Sequence, residues 1–369
     1  MKYLAIILGL VLVIPVFGQR KKKEDEVVIT PTYVEGIAYS LPRTGIRIYV
    51  KAVKESFVPG PYASYADQLL GINDAKSRGT SKWAIEDIKV TTFSEPDPEQ
   101  VFKAMGDASF LISLTTEGCL AGINSSVSIS DTKNVNTNSF IEKPKPYDGF
   151  SFSYFTDTPF YSPGDSTNGF RPIRVGIEQK AAEAAARILE CRMNQYDMAA
   201  GMFDEFHPDG NAYKVSLEEL KNTEKNYLSL FVGRTTFSSE KFSFDYIPIS
   251  STKKGEVIFR FSDEKGVVPA SDLSGKPVII EIEPEKNLTD KYSGLIPSEN
   301  PSAGESGVFY RMPGVASIKI IQELKTIATV RTLIAQSGAV APIPEELLYG
   351  EFAIEIHPET GAIKSVSKK

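Results

Sequence analysis

The residue types that carry most enzyme chemistry are sparse in this chain. Two histidines, His207 and His357, and two cysteines, Cys119 and Cys191, stand among 369 residues. That is too few for zinc-finger arrays or His-rich catalytic metal centres. Each histidine is followed by proline and an acid, in His207-Pro208-Asp209 and His357-Pro358-Glu359. Such residues build turns, and turns account for both histidines. The chain contains no Gly-x-Ser-x-Gly elbow, Walker loop, dinucleotide fingerprint or His-Glu-x-x-His, which leaves the common serine hydrolases, nucleotide enzymes and zinc peptidases without support. Carboxylates are abundant, yet adjacent acids such as Glu218-Glu219 have no spacing that singles out a pair. The two acids of a glycosidase can lie anywhere in sequence, so a secreted hydrolase using a carboxylate pair remains the alternative to a binding protein. No catalytic, cofactor-binding or metal-ligating residue is assigned, and no cofactor is expected.

Two further groups of residues are candidates. Cys119 and Cys191 are the only pair that could form an intrachain disulfide. In an oxidising compartment that bond is plausible; the other reading is two buried thiols, because Cys191 falls on an apolar helical stripe. Tyr39, Tyr62 and Tyr65 precede or sit in short elements near Pro59-Gly60-Pro61. They could form an aromatic binding patch, although core packing is the commoner use of such residues.

Composition narrows the class. The chain is 41% hydrophobic and 24% charged, values of a folded protein rather than a disordered or collagen-like one. Forty-one Lys and Arg against 47 Asp and Glu give a net charge of −6 and a pI near 5.3. That balance lacks the basic footprint of a nucleic-acid binder.

The N-terminus carries an address. Met1-Lys2-Tyr3 precedes an apolar run from Leu4 to Phe17, then Gly18-Gln19 and Arg20-Lys21-Lys22-Lys23. A cationic start, a short apolar core and a small residue at the end make a secretory signal peptide, with cleavage expected after Gly18. The run is shorter than the roughly 20 apolar residues of a membrane span. The expected product is periplasmic or outer-membrane-associated, with no transmembrane span after signal cleavage. Its expected partner is an envelope protein or a glycan, with no nucleic acid.

The elements that must position these residues read as β, then α, then β. The expected fold class is α+β: β-rich N- and C-terminal segments flanking a central antiparallel helical hairpin. The parts are a signal peptide (1–18), a flexible charged N-terminus (19–32), a β-rich N-terminal part (33–175), the hairpin (176–233) and a β-rich C-terminal part (234–369). Ile46, Ile48 and Val50 alternate on a strand. Tyr62, Tyr65 and Leu69 suggest a short helix ended by Gly71. Asp97-Pro98 reads as a second helix start, and 108–114 and 118–123 as strands. On a helix over 177–196, Ile177, Ala181, Ala184, Ile188 and Cys191 share an apolar stripe. Lys180, Glu183, Arg187 and Glu190 share a charged one, with Glu183 spaced to pair with Arg187. Ser216 and Glu219 have capping-box spacing for the second helix, which Gly233 would end. Strands return after Thr235; 318–330 is ambiguous but β-branched, and Phe352 to Val366 reads as a hairpin. Tyr39-Ser40-Leu41-Pro42 and Tyr310-Arg311-Met312-Pro313 each lead into a strand. The proline-to-strand spacing differs by one residue, which makes chance the simpler account of that echo.

Taken in order, several motifs resemble those of the domain-of-unknown-function 4831 family. They are Tyr39-x-Leu41-Pro42-x-Thr44, Pro59-Gly60-Pro61-Tyr62-Ala63-x-Tyr65-Ala66 with Leu70-Gly71, and the helix around Arg187-Ile188. Pro208-Asp209-Gly210, Leu220, Glu224, Leu230-Phe231 and Gly233 follow, then Tyr310-Arg311-x-Pro313, Gln336-x-Gly338 and Pro358-x-Thr360-Gly361. The resemblance spans about Tyr33 to Lys364. It implies an exported envelope protein of Bacteroidota-type bacteria and supplies no catalytic residue. The expected function is that of a non-enzymatic structural or binding component. A type IX-secreted surface protein is a further alternative, suggested by the terminal segment from Gly350-Glu351-Phe352 to Ser367-Lys368-Lys369.

Overall fold

The computed structural model describes residues 36–125, 150–153, 160–162, 171–173, 176–202, 210–249, 255–285 and 301–369. The expected leader, the charged stretch after it, His207 and most of 130–172 lie outside the described residues.

A long hairpin opens this part of the chain. β1 (Ile37–Val58) pairs antiparallel with β2 (Thr80–Ala104). Ile46, Ile48, Val50 and Ala52 alternate along β1 and are buried, as a period of two requires of a strand with one face on a core. Beyond β1, a 3-10 turn at Ala63–Tyr65 leads into α1 (Ala66–Leu70), which ends at Gly71 with φ +71°. Asp97-Pro98 starts no helix, because β2 continues past it. The Asp97 carboxylate instead accepts from the Glu99 N–H at 3.1 Å, a local side-chain turn that competes with capping for the same residue type. Pairing resumes only at Val101, so Asp97 to Gln100 bulge out against the single residue Leu41.

A second hairpin repeats this device. β11 (Phe309–Gln322) pairs with β12 (Lys325–Pro342). There Ala335 to Gly338 bulge out against the single residue Pro313, between the pairs Met312–Ala339 and Gly314–Ile334. Both hairpins therefore set one unpaired residue against four. The Tyr-x-x-Pro echo sits on both bulges, one residue out of register between them, so the spacing mismatch reflects a shift at the bulge. The ambiguous segment 318–330 is strand on both sides of a two-residue turn at Glu323-Leu324.

The remaining strands build on these hairpins, and among the described residues the named strands pair with one another antiparallel. β7 (Arg234–Tyr246) joins the free side of β1, giving the order β2-β1-β7. β8 (Glu256–Ser262), β9 (Gly266–Val268) and β10 (Lys276–Pro284) extend the second hairpin to β12-β11-β10-β8-β9. A smaller sheet combines β3 (Ile112–Leu114), β4 (Leu120–Ile123), β13 (Phe352–Ile356) and β14 (Ile363–Lys368). β3 is preceded by α2 (Ala108–Leu111), so the first half of the expected strand over 108–114 is helical. β5 (Phe160–Ser162) pairs with β6 (Arg171–Ile173), whereas 150–153 contains no strand. The N- and C-terminal β-rich parts thus share sheets, through β1 with β7 and β4 with β13.

Three apolar clusters result. Ile46, Ile48 and Val50 pack with Phe259, Ile318 and Ile320 between the two large sheets. Tyr39, Leu41, Phe102, Phe309 and Ile354 fill the region next to the small sheet. The third cluster surrounds two helices, α3 (Ile177–Ala200) and α4 (Gly210–Val232). α3 buries Ala181, Ala184, Ala185, Ile188 and Cys191, but Ile177 is 53% exposed. Arg187 pairs with Glu190 at 2.6 Å, the i,i+3 partner, rather than with Glu183. The Glu224 carboxylate of α4 accepts from Arg192 Nε at 2.7 Å and Gln195 Nε2 at 2.9 Å, clasping the helices together. The capping box does not form, because α4 is already helical from Gly210 and Ser216 lies in its interior. An interior N–H finds its acceptor in the preceding turn and needs no cap. α4 stops at Gly233, φ +81°. The last helical turn is α5 (Glu345–Leu348). The whole is an α+β protein dominated by antiparallel sheets. Among the described residues, no helix is long and apolar enough to cross a membrane.

Candidate functional site

Each hairpin grips the bulge of the other. The Thr44 hydroxyl on β1 accepts from the Ala335 N–H of the β12 bulge at 2.9 Å. Gln336, next along that bulge, accepts from the Thr44 N–H and donates to the Thr44 carbonyl, each at 2.9 Å, and donates to the Pro248 carbonyl at 3.1 Å. In the other direction, Arg311 of β11 reaches the Asp97 carboxylate in the β2 bulge. Burial pulls the Arg311 pKa down, and the Asp97 charge opposes that shift. The final hairpin completes the join, with the Arg311 N–H donating to the Gly361 carbonyl at 2.8 Å.

Close backbone approach explains the small residue in the second bulge. A Cβ on Gly338 would sit 1.6 Å from the Met312 carbonyl oxygen, so only glycine lets the bulge lie on β11. Four motif groups on which the family resemblance rests converge on this crossing: those at Tyr39–Thr44, Tyr310–Pro313, Gln336–Gly338 and Pro358–Gly361.

Beside the second bulge lies a cavity of about 410 Å³, within the size range of ligand pockets. Met312, Pro313, Leu333, Ala339 and Ile363 give it an apolar wall, with Tyr310 beside them. Ser337 and Glu285 add polar groups at the lining. Glu285 is the one carboxylate of that lining among the described residues. Arg331 holds it bidentately, at 2.6 and 2.9 Å, and keeps its pKa below the ordinary glutamate value. A two-carboxylate hydrolytic site would need a second acid facing this space. Among the described residues, no group of three or more His, Cys, Asp or Glu is placed to hold a metal.

The candidate residues of the sequence are placed elsewhere. Tyr39 and Tyr62 are each 1% exposed and belong to different clusters, with Tyr65 half-buried against the second. Tyr39 lies near the start of the 22-residue β1 and Tyr62 and Tyr65 beyond its end, and at about 3.3 Å per residue the strand keeps them tens of ångströms apart. The aromatic patch is therefore not one surface. Tyr39 instead ties β1 to β11: its hydroxyl accepts from the Phe309 N–H at 2.7 Å and donates to the Gly307 carbonyl at 3.0 Å. Burial pushes its phenol above the usual range.

Cys119 and Cys191 are both buried and both free. Cys119 lies beside Ser40 of β1, whereas Cys191 lies on α3, so separate parts of the fold enclose them. Burial raises both thiol pKa values, that of Cys119 to about 11. His357 does sit in a turn, where its carbonyl accepts from the N–H groups of Thr360 and Gly361. Residue types alone did not reveal Thr44, Asp97, Arg311 and Gln336. The available signal was the convergence of motifs that lie far apart in sequence.

The fold and site define a mainly β protein built on two interlocked, bulged hairpins with an apolar cavity beside the bulge of the second. Residues 35–364 match the family model for the domain of unknown function DUF4831, and the chain belongs to that family. Neither the curated proteins nor the solved structures give a match to this chain.

Proposed function

We propose that this protein is an exported component of the cell envelope that works by binding, not by catalysis. In this reading the cavity beside the crossed bulges seats an apolar group of its partner. The observation that carries it is the cavity itself, about 410 Å³ with Met312, Pro313, Leu333 and Ile363 in its wall. A rigid, mostly apolar space with few polar groups suits an aromatic or aliphatic moiety. Its wall is held by backbone and buried side-chain bonds, so little ordering is needed on binding. The short apolar run before Gly18 supports export. The helices α3 and α4 form an antiparallel hairpin carried on the β-rich parts.

The test compares affinity purification from the native envelope using the wild-type chain and Ala339→Trp, which fills the cavity. A partner retained by the first and lost by the second, with both chains equally folded by thermal melt, supports the reading. Identical partner sets overturn it. Export is read separately, from a mature N-terminus at Gln19 in the envelope fraction; an intact Met1 on cytoplasmic protein defeats that part.

A further inference from the structure

α3 carries a second apolar stripe, facing away from the protein body. Ala182, Ala186, Leu189, Met193, Tyr196 and Ala200 follow at steps of four, three, four, three and four residues, and all six are exposed. Leu189, Met193 and Tyr196 are 51%, 66% and 65% exposed. At 3.6 residues per turn this stripe lies roughly 140° around the helix from the buried one through Ala181, Ala184, Ile188 and Cys191. A surface helix needs one apolar stripe. A second one at heptad spacing is the seam by which a helix receives another helix. The alanines allow close approach, while leucine, methionine and tyrosine supply the knobs. Over these 19 positions the seam is about 27 Å long.

Charge along the seam indicates which helix fits. Glu183, Glu190 and Asp197 repeat every seven residues along one edge. Arg187 already binds Glu190, and Arg192 on the opposite edge is taken by Glu224. An antiparallel second copy would set Glu190 against Glu190 and Glu183 against Asp197, and like charges so placed oppose pairing. A parallel copy would offer those acids Glu178, Ala185 and the committed Arg192. We infer that α3 docks a helix of a different protein, apolar at heptad spacing and bearing Lys or Arg along the edge that meets Glu183 and Asp197, on either side of the Glu190 that Arg187 already holds. The inference rests on α3 and is independent of the cavity.

Two fluorescent three-heptad peptides test it. They share a leucine and alanine seam and differ only in Lys or Glu at the flanking positions. Each is titrated by anisotropy with the full mature chain. The Lys peptide should bind saturably and the Glu peptide at least about tenfold more weakly, with the gap closing as salt rises. Met193→Glu should abolish binding without moving the thermal melt, because Met193 is exposed. Combining Glu183→Gln and Asp197→Asn should bring the two peptides close to equal affinity. Equal binding by the wild type, failure of both peptides, or indifference to Met193→Glu overturns the inference. So does sedimentation showing a dimer of this chain that Met193→Glu dissociates, since a second copy would then occupy the seam.

Discussion

Arg311 of β11 and Asp97 in the β2 bulge, 214 positions apart in sequence, form an ion pair with side chains 4% and 9% exposed. It joins the two hairpins at the point where each leaves regular pairing. Desolvating both charges offsets much of their attraction, so such a pair directs structure more than it adds net stability. The Arg311 Nε is buried without a hydrogen-bond partner, which adds to the cost of the arrangement. Its consequence is geometric: with Thr44 and Gln336 crossing in the opposite direction, the hairpins have one way to seat on each other.

Removing Asp97 alone should therefore be severe. Asp97→Ala leaves the Arg311 charge buried and unpaired, and a loss of about 3–5 kcal/mol is expected. Replacing both partners by apolar residues, Asp97→Leu with Arg311→Met, should recover most of that loss. Urea melts of the single and double variants give the coupling. Additive losses in the double variant would mean that the charges act separately.

Gly338→Ala tests the second bulge. The new Cβ meets the Met312 carbonyl, a backbone atom that cannot rotate away, so a loss of more than about 2 kcal/mol is expected. Gly176→Ala is the contrast: a Cβ there meets nothing within 4 Å, and the change should stay within about 0.5 kcal/mol. Comparable urea midpoints for the two variants would show that the bulge gives way easily.

Alkaline pH should destabilise the fold through Cys119. Burial raises its thiol from 9.0 to about 11, so the folded state favours the protonated form. That contribution is complete below about pH 9 and is lost as pH rises toward 11, at up to about 1.4 kcal/mol per unit. Tyr39, raised by burial from its ordinary value of 10.0, acts in the same direction at higher pH. Urea midpoints measured in reductant between pH 8 and 10 should fall more steeply for the wild type than for Cys119→Ala, in which the buried Cys191 thiol still titrates. Parallel slopes would remove Cys119 from the explanation. Because both cysteines are buried and free, neither should react with a thiol reagent until the chain is unfolded.

Much of the strand pattern was legible because burial imposes a period of two, as at Ile46, Ile48 and Val50. Helix starts were less legible. Asp97-Pro98 has the residues of a helix start, yet the Asp97 carboxylate turns the chain inside a bulge. Ser216 and Glu219 have capping spacing, yet a helix reaching back to Gly210 leaves them no free N–H groups to cap. On α3 the periodicity did pick out the buried stripe through Ala181, Ala184, Ile188 and Cys191, and only Ile177 at its start is exposed. The crossing itself was hidden, since Arg311 and Asp97 are ordinary charged residues until a long-range pairing buries them.

The turn between β11 and β12 offers the last prediction. Gln322 pairs with Lys325, so Glu323 and Leu324 form a two-residue loop, with φ of +48° and +66°. Positive φ at both central positions is the type I′ requirement, which asparagine and glycine meet best. Glu323 has a compensating use, an ion pair with Lys276 of β10. Leu324 is fully exposed, so its side chain packs against nothing and its Cβ only adds strain, about 1–2 kcal/mol in the left-handed region. Leu324→Gly removes that strain and gives back part of the gain as unfolded-chain entropy. The net expectation is a stabilisation of about 0.5–1 kcal/mol. Leu324→Val, β-branched in the same conformation, should lose about 1 kcal/mol instead. The alternation through Ile318 and Ile320 holds the register, so Leu324→Gly should raise the urea midpoint with an unchanged slope. A lowered midpoint would mean that the left-handed backbone costs leucine less than the added freedom of glycine costs the folded state.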